Sequence, residues 1–426
     1  MADTAELKLP NWRNEELSYN EILEKYPSVS PFVILKADIL RRGFTLTEKA
    51  KEHFDDSIYI NAINNSEKDF GAVITSESKA PVGLLLRDGT AIGCSTNQNE
   101  GIRDPYVIDY VDDKFVITDQ GEQIEDVDFW RKPDYYGKLT SKGNPMETVL
   151  TARPRRLDVF SANKYCNFWG RGEGCKFCSL GPAARFYRNN PEAALADPDE
   201  IEEAVVEALK QKGRFTTICT TAGSITTGDK LFDDEVKMYS EIYTRIRRHF
   251  KGDELRFQYV ASAFDKEQLI RLKEATGNIA FTTNLEVPTA ELFEWICPGK
   301  AKDVGYEGWK QRLYDAVEVL GKGNVNTQIV AGADLVQPNG FKTENESGEA
   351  ILKLTEELAQ HDVGVVANVW GVVSTIIFKN FYPPSLEYYT KVFSGVNDIQ
   401  QKYGILTYFD DYKRCGTHPS SDLLRD

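Results

Sequence analysis

The sequence lacks a long uninterrupted hydrophobic run. Its longest apolar stretch, residues 363–378, is interrupted by Asn368, Ser374 and Thr375, so it predicts a buried strand and the loop after it instead of a membrane span. The first residues, MADTAELKLPNWRNEE, are polar and acidic and do not have the pattern of a secretory signal. These two absences predict a cytoplasmic protein that does not enter a membrane.

Basic residues are outnumbered by acidic ones. The chain has 51 Lys and Arg against 66 Asp and Glu, which gives a net charge of -15. Such an excess opposes binding to nucleic acid or to an anionic membrane surface. Three catalytic signatures are also missing: the phosphate-binding G-x-x-x-x-G-K-[ST] loop, the G-x-S-x-G elbow and the H-E-x-x-H zinc helix. Their absence argues against P-loop nucleoside triphosphatases, serine hydrolases and zinc peptidases.

A paired cysteine framework is missing as well. The chain has seven cysteines, an odd number in a long chain, and this argues against a disulfide scaffold. Four of them are scattered singly: Cys94, Cys219, Cys297 and Cys415. The other three, Cys166, Cys175 and Cys178, lie in the stretch RRLDVFSANKYCNFWGRGEGCKFCSLGP with the spacing C-x8-C-x2-C. A cysteine cluster without a disulfide framework indicates a metal-binding or catalytic site.

The order of the predicted elements places this cluster in a fold. Residues 14–53 predict helices, 57–130 predict short antiparallel strands, and from 155 onward strands alternate with helices in six β/α units. The predicted fold class is α/β, with a parallel sheet curled into a partial or full (β/α) barrel behind an N-terminal α+β domain. An open doubly wound sheet is the alternative. The predicted domains are 1–150, of unknown role, 151–390, the barrel, and 391–426, a C-terminal helix and tail.

The cysteine cluster falls at the carboxyl end of the first strand of this series, where barrel enzymes carry their chemistry. Three thiolates can hold three irons of a [4Fe-4S] cluster and leave the fourth iron open to a ligand, which is the interpretation we favour. Structural zinc is one alternative, but it needs a fourth ligand from a distant cysteine or from one of the four histidines. Cysteines that only fill the core are another.

On these residues the sequence resembles the radical S-adenosylmethionine (radical SAM) superfamily. The usual signature there is C-x3-C-x2-C after the first barrel strand, with an aromatic residue before the last cysteine, where this chain has Phe177. The first spacing departs from that signature, with eight residues instead of three. The resemblance covers 155–390, while 1–150 resemble no family. It implies Cys166, Cys175 and Cys178 as catalytic and metal-ligating residues, with a [4Fe-4S] cluster and SAM as cofactors.

The resemblance also implies residues that bind SAM. The stretch TTAGS takes the place of the family's Gly-Gly-Glu-like segment, and Glu286 and Arg312 match polar positions of biotin-synthase-like members. Ile329 and Val330 would supply an apolar edge for adenine. The full predicted cofactor-binding set is Phe177, Thr220, Thr221, Ala222, Gly223, Glu286, Arg312, Ile329 and Val330.

The implied reaction is reductive cleavage of SAM to a 5′-deoxyadenosyl radical that abstracts hydrogen from a small-molecule substrate in an anaerobic, biosynthetic setting. An external donor such as flavodoxin or ferredoxin would supply the electron. Two alternatives stay open: cleavage of another SAM bond or methyl transfer, and a non-enzymatic zinc protein whose N-terminal module binds a partner. The eight-residue insert NFWGRGEG is predicted to be ordered, with Trp169 packed inside and Arg171 and Glu173 directed toward solvent or substrate.

Overall fold

The architecture is that of a computed structural model. It describes residues 16–58, 60–61, 80–93, 104–159, 162–250, 255–277, 279–371, 376–378, 381, 383–406 and 415–423. Fifteen α-helices and fifteen strands lie within these ranges. Cys94 lies outside them.

The larger sheet has seven strands in the order β15-β14-β13-β12-β11-β10-β9. Its strands are β9 (Thr151–Ala152), β10 (Arg156–Val159), β11 (Thr217–Thr221), β12 (Arg256–Val260), β13 (Ile279–Thr282), β14 (Val325–Ala331) and β15 (Gly364–Val369). All neighbours from β10 to β15 pair in parallel, and β9 adds antiparallel to β10. Because the six parallel strands follow one another without a reversal of order, the sheet is the wall of a partial barrel. The predicted α/β class is confirmed, and the doubly wound alternative, which needs such a reversal, is not.

Helices follow each of these six strands, as the pattern predicts. They are α5 (Asn167–Gly170), α6 (Gly181–Phe186), α7 (Pro198–Ala208), α8 (Asp233–Arg247), α9 (Lys266–Thr276), α10 (Ala290–Ile296), α11 (Pro298–Asp303), α12 (Tyr306–Leu320), α13 (Glu344–Gln360) and α14 (Leu386–Lys402). Side-chain caps begin five of these helices, α7, α9, α10, α13 and α14. At α7, Asp197 accepts from two backbone N–H groups. The pair α10 and α11, between β13 and α12, is absent from the sequence-based prediction.

The sheet has an outer face covered by helices and an inner, concave face. Phe257 and Tyr259 of β12 pack their rings against Tyr243 of α8, so they define the outer face. Gln258 lies between them in the strand, and successive side chains of a strand point to opposite faces. Gln258 and its neighbours in register therefore lie on the inner face.

The N-terminal part forms a second sheet of six strands in the order β1-β6-β7-β8-β4-β5. Its elements, with a separate two-stranded pair β2 and β3, are α1 (Tyr19–Lys25), α2 (Pro31–Arg42), β1 (Phe44–Leu46), α3 (Glu48–Glu52), β2 (Ile60–Asn61), β3 (Ala80–Pro81), β4 (Gly83–Leu86), β5 (Ala91–Gly93), β6 (Tyr106–Val111), β7 (Lys114–Asp119), β8 (Glu122–Phe129) and α4 (Met146–Val149). The predicted antiparallel module is present, except that β1 pairs in parallel with β6. Helices α1, α2 and α3 confirm the predicted helical start at 14–53 for the residues described, except that Phe44–Leu46 form strand β1.

The terminal segments pack on the open side of the barrel sheet. Helix α15 (Pro419–Asp422) places Ser420 against β15, where its hydroxyl bonds both the N–H and the C=O of Ala367 and so covers the strand edge. Lys36 of α2 is fully buried and pairs with Asp422 at 2.6 Å. Helix α14 runs across the predicted boundary between residues 390 and 391, so the barrel region extends through it. Across the ranges described above, no helix has the length and apolar character needed to cross a membrane.

Candidate metal and cofactor site

The three clustered cysteines lie where the sequence places them, at the carboxyl end of the first parallel strand. Cys166 is the residue before helix α5, and Cys175 and Cys178 follow in the turn that leads to α6. Cys166 and Cys175 are buried, and Cys178 is half-buried. The peptide N–H of Cys178 donates to the carbonyl of Cys175 at 3.1 Å, which closes a tight turn between these two cysteines.

The loop after β11 holds the first cysteine in place. The N–H of Gly223 donates to the carbonyl of Asn163 at 2.8 Å, and the Asn163 side-chain amide donates back to the Gly223 carbonyl at 3.0 Å. One residue beyond Cys166, the N–H of Asn167 donates to the carbonyl of Ser224 at 2.9 Å. The TTAGS stretch therefore positions the cysteine loop through its backbone.

The three thiols influence one another electrostatically. Burial raises the pKa of Cys166, and the nearby Cys175 raises it further. Burial also raises the pKa of Cys178 to about 12, again with a contribution from Cys175. The pKa of Cys175 is raised well above its ordinary value, first by a hydrogen bond with Cys297 and then by burial. Thiolates at these positions need a cation to stabilise them, which is what bound iron or zinc provides.

The three thiols are donors that suit two kinds of metal site. A structural zinc ion takes four donors at about 2.3 Å, and a [4Fe-4S] cube takes each thiolate on a different iron. Within the described ranges, no group of three or more His, Cys, Asp or Glu side chains is placed so that it could hold a metal ion. Cluster binding by Cys166, Cys175 and Cys178 therefore stays a prediction.

The eight-residue insert between the first two cysteines is ordered, as predicted. Phe168 is 1% exposed and packs on Gly299 of α11, where a Cβ would come within 2.4 Å of its ring. The Trp169 ring lies over Gly174, at 2.2 Å from where a Cβ would be. Arg171 is exposed, as predicted, and Glu173 is half-buried, but neither side chain extends freely into solvent.

Those two charged residues instead attach the insert to helix α11. Arg171 pairs with Asp303 at 2.8 Å, and Glu173 pairs with Lys302 at 2.5 Å. The two also pair with each other at 3.0 Å. The insert is therefore a packed wall beside the cysteines and not a spacer.

Glu286, which the resemblance assigns to SAM, is 7% exposed and pairs with Lys300 at 2.7 Å. Lys300 also donates to the carbonyl of Asn284 at 2.9 Å. Burial lowers the pKa of Lys300, but Glu286 and the thiols of Cys175 and Cys297 outweigh it, so the pKa is raised. The pair thus lies beside the cysteine loop, and Lys300 keeps a positive charge there. Binding of SAM by Glu286 stays a prediction.

Arg312 projects from α12 and is half-buried. Its guanidinium donates to the carbonyl of Ala263, which follows β12, and lies over the ring of Phe232. Burial lowers its pKa from the ordinary value. No acidic side chain of the described residues forms an ion pair with it. Binding of the SAM carboxylate by Arg312 stays a prediction.

The other predicted cofactor residues have mixed surroundings. Thr220 bonds the Tyr243 hydroxyl at 2.5 Å, so its side chain faces helix α8. Thr221, Ala222 and Phe177 are half-buried near the cysteine loop. Ile329 is fully buried, whereas Val330 is half-buried and pairs in register with Asn368 of the inner face. Adenine binding by this pair stays a prediction, with Val330 the better placed.

A further contact closes the mouth of the barrel beside the cysteines. The N–H of Ile377, in the segment 376–378 beyond β15, donates to the carbonyl of Lys176 at 3.0 Å. The nearby Trp370 stacks on Phe381 at 5.1 Å. The segment that follows β15 thus meets the cysteine loop that follows β10, although β15 and β10 lie at opposite ends of the parallel strand order.

Comparisons with known proteins identify distant structural likenesses. Neither a known family nor a curated protein matches this sequence. Solved structures do resemble it, and three of them are described below. The HydG maturase of the [FeFe]-hydrogenase is 18% identical, with a TM-score of 0.40 over 59% of this chain and 51% of that one, about half its length.

The other two are described as methyltransferases. A radical SAM methyltransferase from Sphaerobacter thermophilus is 15% identical, with a TM-score of 0.40 over 95% of this chain and 98% of that one. TsrM from Kitasatospora setae, a radical S-adenosylmethionine methyltransferase with cobalamin and a [4Fe-4S] cluster bound, is 12% identical, with a TM-score of 0.32 over 62% and 47% of the two chains.

One buried carboxylate near the site has no counterpart among the predicted residues. Glu235, in the first turn of α8, accepts from the N–H of Ile225 at 2.9 Å and from the N–H of Ser262 at 2.8 Å. It therefore joins the loop after β11 to the loop after β12. An acid in a first helical turn is ordinarily a partner of the helix dipole, so the sequence carries no signal of this role.

Proposed function

We propose that this protein is a radical SAM enzyme whose [4Fe-4S] cluster is held by Cys166, Cys175 and Cys178. The observation that carries the proposal is the grouping of these three thiols in the loop at the carboxyl end of β10. The loop around them supports it, because backbone bonds from TTAGS and the packed insert fix the thiols before any ligand binds. Such preorganisation is typical of a functional metal site.

When bound, the cluster would supply the electron for reductive cleavage of SAM, the chemistry that yields methionine and a 5′-deoxyadenosyl radical able to remove hydrogen from a substrate. The chain's own residues bind and orient the cofactors. Cys166, Cys175 and Cys178 would hold the cluster through their three thiolates. Arg312 pairs with the SAM carboxylate, since its planar guanidinium suits bidentate binding and no acidic side chain of the described part of the chain occupies it. Glu286, held by Lys300, offers its second oxygen to a SAM hydroxyl or ammonium.

The rest of the barrel mouth excludes water from the reacting groups. Phe378, whose N–H lies 3.3 Å from the Lys176 carbonyl, and Phe168 are both buried and place apolar rings beside the cysteine loop. Exclusion of water protects a reactive radical from side reactions. The substrate is a small molecule that enters from the inner face. The electron comes from an external donor such as flavodoxin or ferredoxin, in an anaerobic cytoplasmic pathway of biosynthesis.

The test is anaerobic reconstitution with iron and sulfide, followed by incubation with SAM and dithionite. The proposed activity predicts stoichiometric methionine and 5′-deoxyadenosine. Formation of S-adenosylhomocysteine would favour methyl transfer, and a different SAM fragment would favour cleavage of another bond. A protein that takes up zinc and neither iron nor sulfide would support the non-enzymatic alternative.

A further inference from the structure

The inner face of the barrel carries a row of uncharged polar side chains. Gln258 of β12 donates to the hydroxyl of Thr282 on β13 at 3.2 Å. Thr282 pairs directly in register with Asn326 of β14. Two residues along β14, Gln328 accepts from the Asn368 amide of β15 at 3.0 Å. The row crosses four adjacent strands: Gln258, Thr282, Asn326, Gln328 and Asn368.

Register and packing place all five on the same face. Directly paired residues of neighbouring strands share a face, and residues two apart in a strand do too. The flanking residues face the helices, because Tyr259 packs on Tyr243 and Phe281 packs on Phe264. The hydrogen bonds that join Gln258 to Thr282, and Asn368 to Gln328, confirm the assignment. The row therefore lines the concave side of the sheet, below the cysteine loop.

In three of these residues, no group described by the structure donates a hydrogen bond to the side-chain amide oxygen. The amide oxygens of Gln258, Asn326 and Asn368 are buried and receive no hydrogen bond from the described residues. Gln258 and Asn326 are each 4% exposed. Barrel interiors are ordinarily filled by branched apolar side chains, and buried polar groups are ordinarily paired. Three amide oxygens without a donor on one face are an exception to both rules. A bound polar molecule that donates to these oxygens would satisfy them.

We infer that this row is the substrate-binding subsite of the barrel and that it takes an uncharged small molecule with several hydroxyl or amide groups. The inference rests on the proposed function for the reaction, but the subsite stands on its own contacts. The unpaired groups are amide oxygens, which accept and so need a donor from the ligand. Hydroxyl and amide groups supply such a donor, whereas ionised carboxylates and hydrocarbon chains have none.

Charges around the row agree with a neutral ligand. All five side chains are uncharged. The face continues through Cys219, which pairs in register with Gln258, to Asp158 of β10. The Asp158 carboxylate is already paired by Arg153 at 2.6 Å and by Arg156 at 2.8 Å. Near the mouth, Glu286 and Lys300 neutralise each other. A charged substrate would meet no counter-charge among these groups.

The first test compares thermal stability of ligand-free protein. Asn326→Leu removes an unpaired buried amide, so its Tm should equal or exceed that of the wild type. The matched control is Asn163→Leu, the same change at a residue 3% exposed whose amide is fully bonded to Tyr165 and Gly223. Its Tm should fall by several degrees. A comparable fall in Asn326→Leu would show that the row is structural and would overturn the inference. Gln258→Met serves as a second variant, and a large fall in both would have the same meaning.

The second test uses probes of stated class at millimolar concentration. The set contains neutral polyols and amides (myo-inositol, N-acetylglucosamine and nicotinamide), carboxylates (succinate and citrate) and an apolar alcohol (octanol). A Tm rise with a neutral polar probe that is lost in Asn326→Leu supports the inference. Binding of carboxylates or octanol alone, or of no probe, contradicts it. Iron and sulfide are measured on the same samples, so failure of the proposed cluster is seen separately from failure of the subsite.

Discussion

Gly223 lies directly against the backbone of Cys166: a Cβ on Gly223 would come within 2.9 Å of the Cα of Cys166. Backbone cannot move aside as the end of a flexible side chain can. The contact ties the loop after the second parallel strand to the first cysteine of the cluster. It explains why the TTAGS stretch contains glycine at a place where its φ is not unusual.

Gly223→Ala should therefore displace the cysteine loop and reduce iron incorporation while the fold persists. Iron and sulfide per chain, with circular dichroism as the check on folding, measure this. Gly348→Ala is the control. Gly348 lies within helix α13, and a Cβ there would meet only Val392, at 3.7 Å. That change should leave iron unchanged and stabilise the helix by about 0.5–1 kcal/mol. Normal iron content in Gly223→Ala would contradict the assigned contact.

Each of Cys166→Ala, Cys175→Ala and Cys178→Ala should abolish cluster assembly and SAM cleavage, because two thiolates do not hold a three-cysteine cube. Iron and sulfide analysis after reconstitution checks this. Cys94→Ser, outside the described residues, is the control expected to keep the cluster. Full iron content in any one of the three alanine variants would remove that cysteine from the site.

Arg312→Ala should weaken SAM binding by about 10- to 150-fold, the loss of a charged hydrogen bond of about 1.5–3 kcal/mol, with iron content near normal. Equilibrium binding of SAM to reconstituted protein measures it. Arg245→Ala on α8 is the matched control, since that arginine pairs with Asp199 and Glu241 away from the cysteines. Equal SAM affinity in the Arg312 variant and the wild type would show that this helix is not the SAM carboxylate site.

Glu286→Ala should weaken SAM binding and also destabilise the fold, because it leaves the buried Lys300 ammonium without its carboxylate. Loss of one partner of a buried pair costs about 3–5 kcal/mol. Glu286→Ala combined with Lys300→Met should recover most of the stability without recovering SAM affinity. Denaturant unfolding and SAM titration separate the two effects. Unchanged SAM affinity in Glu286→Ala would leave the ion pair with a structural role alone.

The sequence predicts the barrel and the position of the cysteine loop well, because both depend on residues that are neighbours in the chain. The spacing of Cys175 and Cys178, the strand before them and the succession of strands and helices are properties of neighbouring residues. The partners of Glu286 and Glu235, in contrast, come from residues that are distant in the sequence. Lys300 comes from a helix pair that the pattern misses, and Ser262 meets Glu235 only because two loops converge. The polar inner row is equally hidden, since Gln258 and Asn326 look alike in sequence whether they are exposed or face a lumen.

Glu235 predicts a pH dependence of stability. Burial raises the pKa of this carboxyl to about 7, above the ordinary value of about 4.5. Between these values the folded state holds a proton that the unfolded chain has released. Its contribution to the free energy of unfolding is therefore complete below pH 4.5 and decreases as pH rises to 7, by on the order of 3 kcal/mol. Glu235→Gln should lack this slope when unfolding is measured at pH 5, 6 and 7.5. An identical slope in the variant would assign the dependence to other groups.

Trp169→Ala should loosen the insert and speed loss of iron from the cluster, because removal of a packed indole costs about 3–5 kcal/mol. The rate of iron transfer to a chelator measures this. Glu173→Ala should do less, since its ion pairs with Lys302 and Arg171 lie at the partly exposed outer side of the insert. Equal rates of iron loss in Trp169→Ala and the wild type would mean that the insert does not protect the cysteines.

The most direct test of the central claim is anaerobic reconstitution of the full chain followed by Mössbauer and EPR spectroscopy with and without SAM. A three-cysteine [4Fe-4S] site predicts about four irons and four sulfides per chain, bound as one cubane. It also predicts that the EPR signal of the reduced cluster changes when SAM binds the open iron. A protein that binds zinc at the three cysteines, or a cluster whose spectrum is unaffected by SAM, would contradict it.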